Sequence, residues 1–168
     1  MRRVFFAIFA MMMCMGVASA QNYMVVDSEK VFKSLAEYNS ALVQIDNLTK
    51  SYQEAVDAKF QEVERLYNSY MQQRDGLSAT TRTTIEQQIL QKEQEAQNYQ
   101  QEVLGENGAL MKKRLELIKP IQERVFAAIE AYAKANGFEL VLDKASNASI
   151  LYSGSAVDHT EEIIKTLK

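Results

Sequence analysis

The sequence predicts an α+β protein that is mostly α, in which a long antiparallel helical hairpin, a coiled-coil arm, projects from a small β-rich body formed by both chain ends. Three observations carry that prediction. Apolar residues recur at coiled-coil spacing over most of the chain, a glycine-centred turn interrupts them midway, and short β-prone runs lie near both ends, outside the repeat.

The first 20 residues stand apart. Arg2 and Arg3 precede an apolar run from Val4 to Val17, which leads to Ala18-Ser19-Ala20. This is the pattern of a secretory signal peptide, cleaved after Ala20. A retained membrane anchor would need about 20 apolar residues, more than this run contains. Lipidation of Cys14 is disfavoured because Met11-Met12-Met13 lacks a small residue before the cysteine. The one cysteine departs with the signal, so the exported chain has no disulfide and must be stabilised by packing. Two arginines depart as well, leaving a chain more acidic than the −3 of the whole sequence. That balance argues against nucleic acid as a partner and gives no support to contact with a membrane surface.

Residues 21–34 form the N-terminal part of the expected body. Tyr23-Met24-Val25-Val26 reads as a short strand, and Asp27 or Ser28 can cap a helix starting at Glu29. The arm is expected over 35–119. Leu35, Tyr38, Leu42, Ile45, Leu48, Tyr52, Val56, Phe60, Val63, Tyr67 and Tyr70 are spaced by about 3.5 residues on average, the coiled-coil period. Ile85, Ile89, Ala96, Tyr99, Val103, Leu110 and Leu117 continue it, with Lys92, Glu106 and Lys113 in the remaining slots. Three charges weaken that half of the seam.

Between the halves, Gly76 can take the positive φ that ends a helix and Ser78 can cap the next one. A hairpin folded there places Leu42 near Lys112, Val56 near Tyr99, Tyr70 near Ile85 and Leu35 near Lys119, in arms about 60 Å long. Gly105 and Gly108 each cost up to about 1 kcal/mol of helix stability, which makes the returning arm flexible. Pro120, the only proline of the chain, then falls at the root of the arm and marks a bend there, after which Ile121, Val125, Ile129 and Tyr132 begin a new amphipathic helix.

Residues 120–168 complete the body. Asn136-Gly137 is the expected helix C-cap, Phe138 to Leu142 a strand with Phe138, Leu140 and Leu142 on one face, and Ile150-Leu151-Tyr152 a third strand. Asp158 and Glu161 have capping-box spacing for a last helix. So thin a core favours association with other copies.

Nothing in the chain resembles an active site. His159 is read as an exposed residue at a helix start and Asp143-Lys144 as a solvated turn, and no phosphate loop, paired-carboxylate motif or metal-ligand spacing accompanies them. The expectation is a non-enzyme without catalytic residues, cofactor or metal. The glutamines from Gln87 to Gln101 are read as a solvated helix face.

YMVVDSEKVFKS, a long glutamine- and charge-rich hairpin, LIKPIQERVFAAIEAYAKANGFELVLDK and ILYSGSAVDHTEEIIKTL, in that order behind a signal peptide, resemble the Skp/OmpH family of periplasmic chaperones. The resemblance spans the mature chain, and its ends are the specific part. It implies a homotrimer whose chain ends assemble a small β-rich body. Its three hairpins enclose a cavity in which unfolded outer-membrane proteins are held without ATP in the periplasm. On that basis the body and its trimer contacts are expected at Val25, Val26, Phe32, Val125, Ile129, Tyr132, Phe138, Leu140, Leu142, Ile150 and Tyr152. Client contact is expected at Phe60, Tyr67, Tyr70, Met71, Leu104 and Met111, and Gly76 and Pro120 mark the tip and the bend. Family members often carry a proline in the Leu-Ala-Glu-Tyr region where this chain has Ala36, and the best-studied ones are basic. This chain offers only Arg74 and Arg82 near the tip, so no lipid site is carried over. The competing expectation is a structural coiled-coil adaptor or spacer of the cell envelope.

Overall fold

A computed structural model describes residues 22–146 and 150–168. The expected signal peptide and the turn at Asn147 lie outside the described residues. In chain order the elements are β1 (Tyr23–Val26), α1 (Ser28–Lys33), α2 (Ala36–Gln73), a 3-10 turn (Arg74–Gly76), α3 (Ala79–Leu104), α4 (Ala109–Ala135), β2 (Leu140–Asp143) and α5 (Thr160–Leu167). They make two compact units. One is residues 32–126, a helical hairpin; the other joins the described residues up to Val31 with those from Ala127 onward.

In the end unit, β1 and β2 pair in parallel, Tyr23 opposite Leu140 and Val26 opposite Asp143. Parallel strands are covered on both faces and therefore carry unbroken apolar runs, and Met24, Val25 and Val26 are all buried. Val31, Ala133, Ile163 and Ile164 are the other buried apolar residues of this unit. Asp27 caps α1 as expected, its Oδ1 accepting from the Lys30 N–H at 2.9 Å.

The expected third strand is not formed. Ile150 to Tyr152 has no strand pairing, and Leu151 and Tyr152 are 94% and 87% exposed. The place beside β1 is taken by Val157 to His159 instead. The Val25 N–H donates to the Val157 carbonyl at 2.7 Å, and the His159 N–H donates to the Val25 carbonyl at 3.0 Å. A strand has two edges, and both edges of β1 are then occupied.

The hairpin begins at Leu35, a buried residue with extended backbone that separates α1 from α2. Burial of Leu35 and the bond from the Asn39 side chain to the Lys33 carbonyl, 2.9 Å, set this break without the proline that Ala36 replaces. Ser78 caps α3 as expected, accepting from the Thr81 N–H at 3.2 Å. Gly76 behaves differently from the expectation. Its φ is not positive, it closes the 3-10 turn, and a Cβ there would meet nothing within 4 Å. The chain reverses through the 3-10 turn and the extended Leu77, with no left-handed residue needed.

Gly105 and Gly108 do more than soften the returning arm, because the helix stops there. Gly105 is extended, with φ −63° and ψ 168°, and the Gly108 N–H donates to its carbonyl at 2.9 Å. A Cβ on Gly105 would lie 2.3 Å from the Gln101 carbonyl oxygen and one on Gly108 2.9 Å from that of Glu102. Backbone approaches backbone too closely for any side chain. These residues leave the helix while α2 runs on unbroken, and the pairing across the hairpin shifts. On the tip side Glu62 meets Lys92 at 3.1 Å and Lys59 lies 4.9 Å from the Tyr99 ring centroid. On the far side of the break Glu37 pairs with Arg124, where the sequence had placed Leu35 near Lys119.

Pro120 does not begin a new helix. It lies inside the continuous α4. An interior proline leaves the carbonyl four residues earlier without its donor. Here that residue is Glu116, and both Glu116 and Pro120 are exposed, so water can take the missing bond. Burial of Ile121 and Val125 on the opposite face holds the helix together. Helix α4 ends where expected, in a Schellman motif. Gly137 has φ 72°, the Phe138 N–H reaches the Ala133 carbonyl at 2.9 Å, and the Gly137 N–H reaches that of Lys134 at 3.3 Å.

The glycines therefore differ in what an alanine would cost. Thermal unfolding at fixed protein concentration should show Gly76→Ala neutral or stabilising by up to about 1 kcal/mol. Gly137→Ala should lose about 1–2 kcal/mol from the left-handed backbone.

Candidate functional site

Asp143 ends β2 and Asp27 directly follows β1, and both enter the polar contacts at this end of the sheet. Asp143 accepts from the Ser28 N–H at 3.1 Å, the Ser28 hydroxyl at 2.7 Å, the Ala145 N–H at 3.0 Å and the Ser146 hydroxyl at 2.7 Å. Thr160, buried at the start of α5, accepts from the Asp27 N–H at 2.9 Å and donates to Asp158 at 2.5 Å. Lys144 reaches Asp158 at 2.6 Å and Asp27 at 3.9 Å. Strand ends, both short helices and the segment before α5 are thus joined through three carboxylates and one ammonium.

Burial would push Asp143 and Asp158 up, but the hydrogen bonds win. Both lie below the ordinary aspartate value, Asp143 through Ser28, Ser146 and the backbone donors, Asp158 through Lys144 and Thr160. The sequence reading missed this network. It took Asp143-Lys144 for a solvated turn and Asp158 for a capping-box residue; Asp158 does accept from the Thr160 N–H at 3.1 Å, but the Glu161 half of the box is not made. Glu161 turns to Lys30 at 2.6 Å, and the His159 carbonyl accepts the first bond of the helix. The available signal was the repeated placement of aspartate directly after an apolar run, in VVDS and VLDK.

His159 is half-buried within an aromatic cluster. Tyr132 and Phe138 stack with ring centroids 6.5 Å apart, the His159 ring lies 4.8 Å from Phe138, and its Nδ1 is 3.0 Å from the Tyr132 hydroxyl. Among the described residues no group of three or more histidine, cysteine, aspartate or glutamate side chains is placed to hold a metal.

The residues expected to build the body divide four ways. Val25 and Val26 are buried in the end unit, Ile129, Tyr132, Phe138 and Leu142 are half-buried there, and Phe32 and Val125 belong to the hairpin unit. In the hairpin, Phe32 meets Tyr38 at 5.3 Å and Phe126 at 6.2 Å between ring centroids, while Val125 is fully buried. Leu140 and Tyr152 remain exposed. A surface cavity of about 510 Å³ lies over Tyr23, Val25 and Leu142 and is walled by Ile150, Leu151 and Tyr152.

In the hairpin unit few apolar residues are buried: Leu35 ahead of α2, Ala41, Ile45, Val56 and Tyr70 on α2, Ala96 and Val103 on α3, Ile121 and Val125 on α4. Two helices side by side cover one stripe of each, and Leu42, Val43, Leu90, Leu115 and Phe126 stay exposed among charged neighbours. Of the expected client residues, Tyr67, Tyr70 and Met71 come together in a groove between α2 and α3 next to the turn, lined also by Arg74, Glu86, Ile89 and Leu90. Phe60, Leu104 and Met111 do not line it. Tyr70 is itself buried in the seam, and its hydroxyl donates to Glu86, which with burial holds the phenol above its ordinary value against the opposing Arg74.

These features define a class: a mostly helical protein with a long hairpin and a small two-stranded parallel sheet formed from both ends of the chain. Residues 22–167 match the family described as outer membrane protein, OmpH-like, and the chain belongs to that family. A crystal structure from Caulobacter crescentus, of a protein described as an OmpH-like outer membrane chaperone, shares the fold with a TM-score of 0.70 at 9% identity, over 89% of this chain and 85% of that one. Comparison with curated proteins finds no significant match in sequence.

The network predicts an acid-sensitive end unit. Depressed aspartate values add stability that is complete above the ordinary carboxylate range and is lost as pH falls through the lowered values. Urea midpoints should stay level from neutral pH to about 5 and fall below about 4. Lys144→Met, which strips Asp158 of its cation, should cost about 1–3 kcal/mol at neutral pH, with the loss shrinking in acid.

Proposed function

We propose that this chain is an ATP-independent holdase of the periplasm, exported by a signal peptide cleaved after Ala20. It sequesters unfolded outer-membrane proteins between the arms of a homotrimer. The observation that carries the reading is the hairpin itself. Its exposed Leu42 with Val43, its Leu115, and the group of Tyr67, Met71 and Leu90 beside the turn are separate apolar patches, and such a surface makes many weak contacts in place of one tight site. Family membership and the chaperone description of the Caulobacter protein point the same way. No residue is assigned to catalysis and no cofactor is required.

Trimer assembly is supported by surface left unused in the single chain. β2 has β1 as its one strand partner among the described residues, Leu140 is 54% exposed on it, and the β-prone Ile150 to Tyr152 lies unpaired beside an apolar cavity. An open strand edge next to an unpaired apolar segment is a template for pairing between copies. Phe60, Leu104 and Met111 remain assigned to client contact along the arms, and Pro120, inside the continuous α4, remains assigned to a bend in that helix.

Two measurements test the reading. Dilution of a urea-unfolded outer-membrane barrel into a near-stoichiometric amount of the trimer should leave the barrel soluble. Failure to suppress its aggregation, together with a stable complex with a folded envelope protein, would make the chain an adaptor. Sedimentation should give three copies per particle, and Tyr152→Asp should shift the distribution toward smaller species as the protein is diluted.

A further inference from the structure

The groove beside the hairpin turn combines apolar and charged side chains. It has a volume of about 520 Å³, in the range of sites that take a side chain or a small ligand. Its floor is Tyr70 and Ile89. Its rims, Tyr67, Met71 and Leu90, are 48%, 48% and 65% exposed, so each offers apolar surface to solvent. A methionine beside tyrosines is an adaptable apolar surface that accepts aromatic or branched side chains.

The charges of the groove are unequal in availability. Glu86, its one carboxylate, accepts the Tyr70 hydroxyl. Arg74, its one cation, is close enough to the same hydroxyl to oppose the upward shift of the phenol, and it forms no ion pair with a carboxylate among the described residues. A guanidinium carries five donors in a planar fork, and one phenol oxygen leaves most of them for an anion. A ligand that satisfies both halves of the groove must present an apolar side chain and a carboxylate a few ångströms apart. An internal stretch of polypeptide does so only where an acidic residue happens to adjoin an apolar one. The carboxyl-terminal residue of a chain does so by construction whenever its side chain is aromatic or aliphatic.

We infer that this groove captures the free carboxyl terminus of an unfolded polypeptide ending in an aromatic or large aliphatic residue, the side chain lying between Tyr67, Met71 and Leu90 and the carboxylate paired with Arg74. The inference rests on the holdase reading and deepens it. Contacts along the arm are indifferent to sequence, whereas this subsite gives the protein a preference for one end of its client.

The test uses the mature chain and two labelled short peptides of one sequence ending in phenylalanine, one with a free carboxylate and one amidated, followed by fluorescence anisotropy. The free acid should bind about tenfold more tightly than the amide, the effect of a charge-assisted hydrogen bond. Arg74→Gln should abolish the difference, and Leu90→Glu should weaken both peptides; both residues are exposed and outside the buried seam. Equal binding of acid and amide, or discrimination that survives Arg74→Gln, overturns the inference. So does a change in sedimenting mass on Leu90→Glu, which would make the occupant a second copy of the chain. Loss of binding to phosphatidylglycerol vesicles in Arg74→Gln with peptide discrimination unchanged would make it a lipid and also overturns it. Aggregation suppression of the full-length barrel is measured in parallel. Intact suppression without carboxylate discrimination sinks the groove alone, and discrimination without suppression sinks the holdase reading alone.

Discussion

The parallel pairing of β1 with β2 is the interaction on which the rest of the chain depends. Two strands can run parallel only if the connection between them crosses back over their whole length. Here that connection contains the entire hairpin, from α1 to the end of α4. Closing so long a loop is costly in chain entropy, although the cost grows only slowly with length. It is offset by an apolar run with no polar interruption, Met24 to Val26, which is buried, and by Val157 to His159 on the other edge of β1.

Placing aspartates at the ends of these strands would be expensive without partners. Asp143 meets four donors, and Asp158 has Lys144 and both donors of Thr160. Among the described residues no buried side-chain nitrogen or oxygen lacks a partner. A polar network of this kind adds little net stability beyond an apolar core of the same shape, but it is strongly penalised if any member is missing. It therefore specifies which ends meet which helices more than it raises the free energy of folding.

The hairpin follows another logic. Two helices in contact can bury only one stripe each, so a rod this thin cannot hide all its apolar residues. Cross-helix contacts such as Lys92 with Glu62 and Lys59 over Tyr99 use charge where a globular core would use leucine. The glycine break in the returning strand leaves α2 as the only continuous helix of the pair at that level. The exposed residues that remain are the same ones that suit weak, plural contact with another chain.

Local sequence was enough wherever a feature is set by nearest neighbours. The 3.5-residue spacing specified two antiparallel helices, Ser78 and Asp27 specified helix starts, Asn136-Gly137 specified a left-handed stop, and the runs at Tyr23 and Leu140 specified strands. Features that depend on what lies across the fold were out of reach. Pro120 is tolerated inside a helix where both it and Glu116, the residue whose carbonyl it orphans, are exposed, and no pattern along the chain records which turns are wet. Gly105 ends one because its backbone abuts Gln101, so the register beyond it slips and Glu37 meets Arg124. Ile150 to Tyr152 has every local mark of a strand, but Val157 to His159 takes the second edge of β1 and the segment does not pair with the open edge of β2 within the chain. Asp143 and Asp158 make the local turn and cap bonds that their positions suggest, and their further partners, Ser28 and Lys144, come within reach only once the two ends of the chain meet. Composition and spacing determined the elements and their ends. Competition for edges, solvent access to carbonyls and the meeting of distant charges decided their partners, because those free energies exist only once the chain has closed on itself.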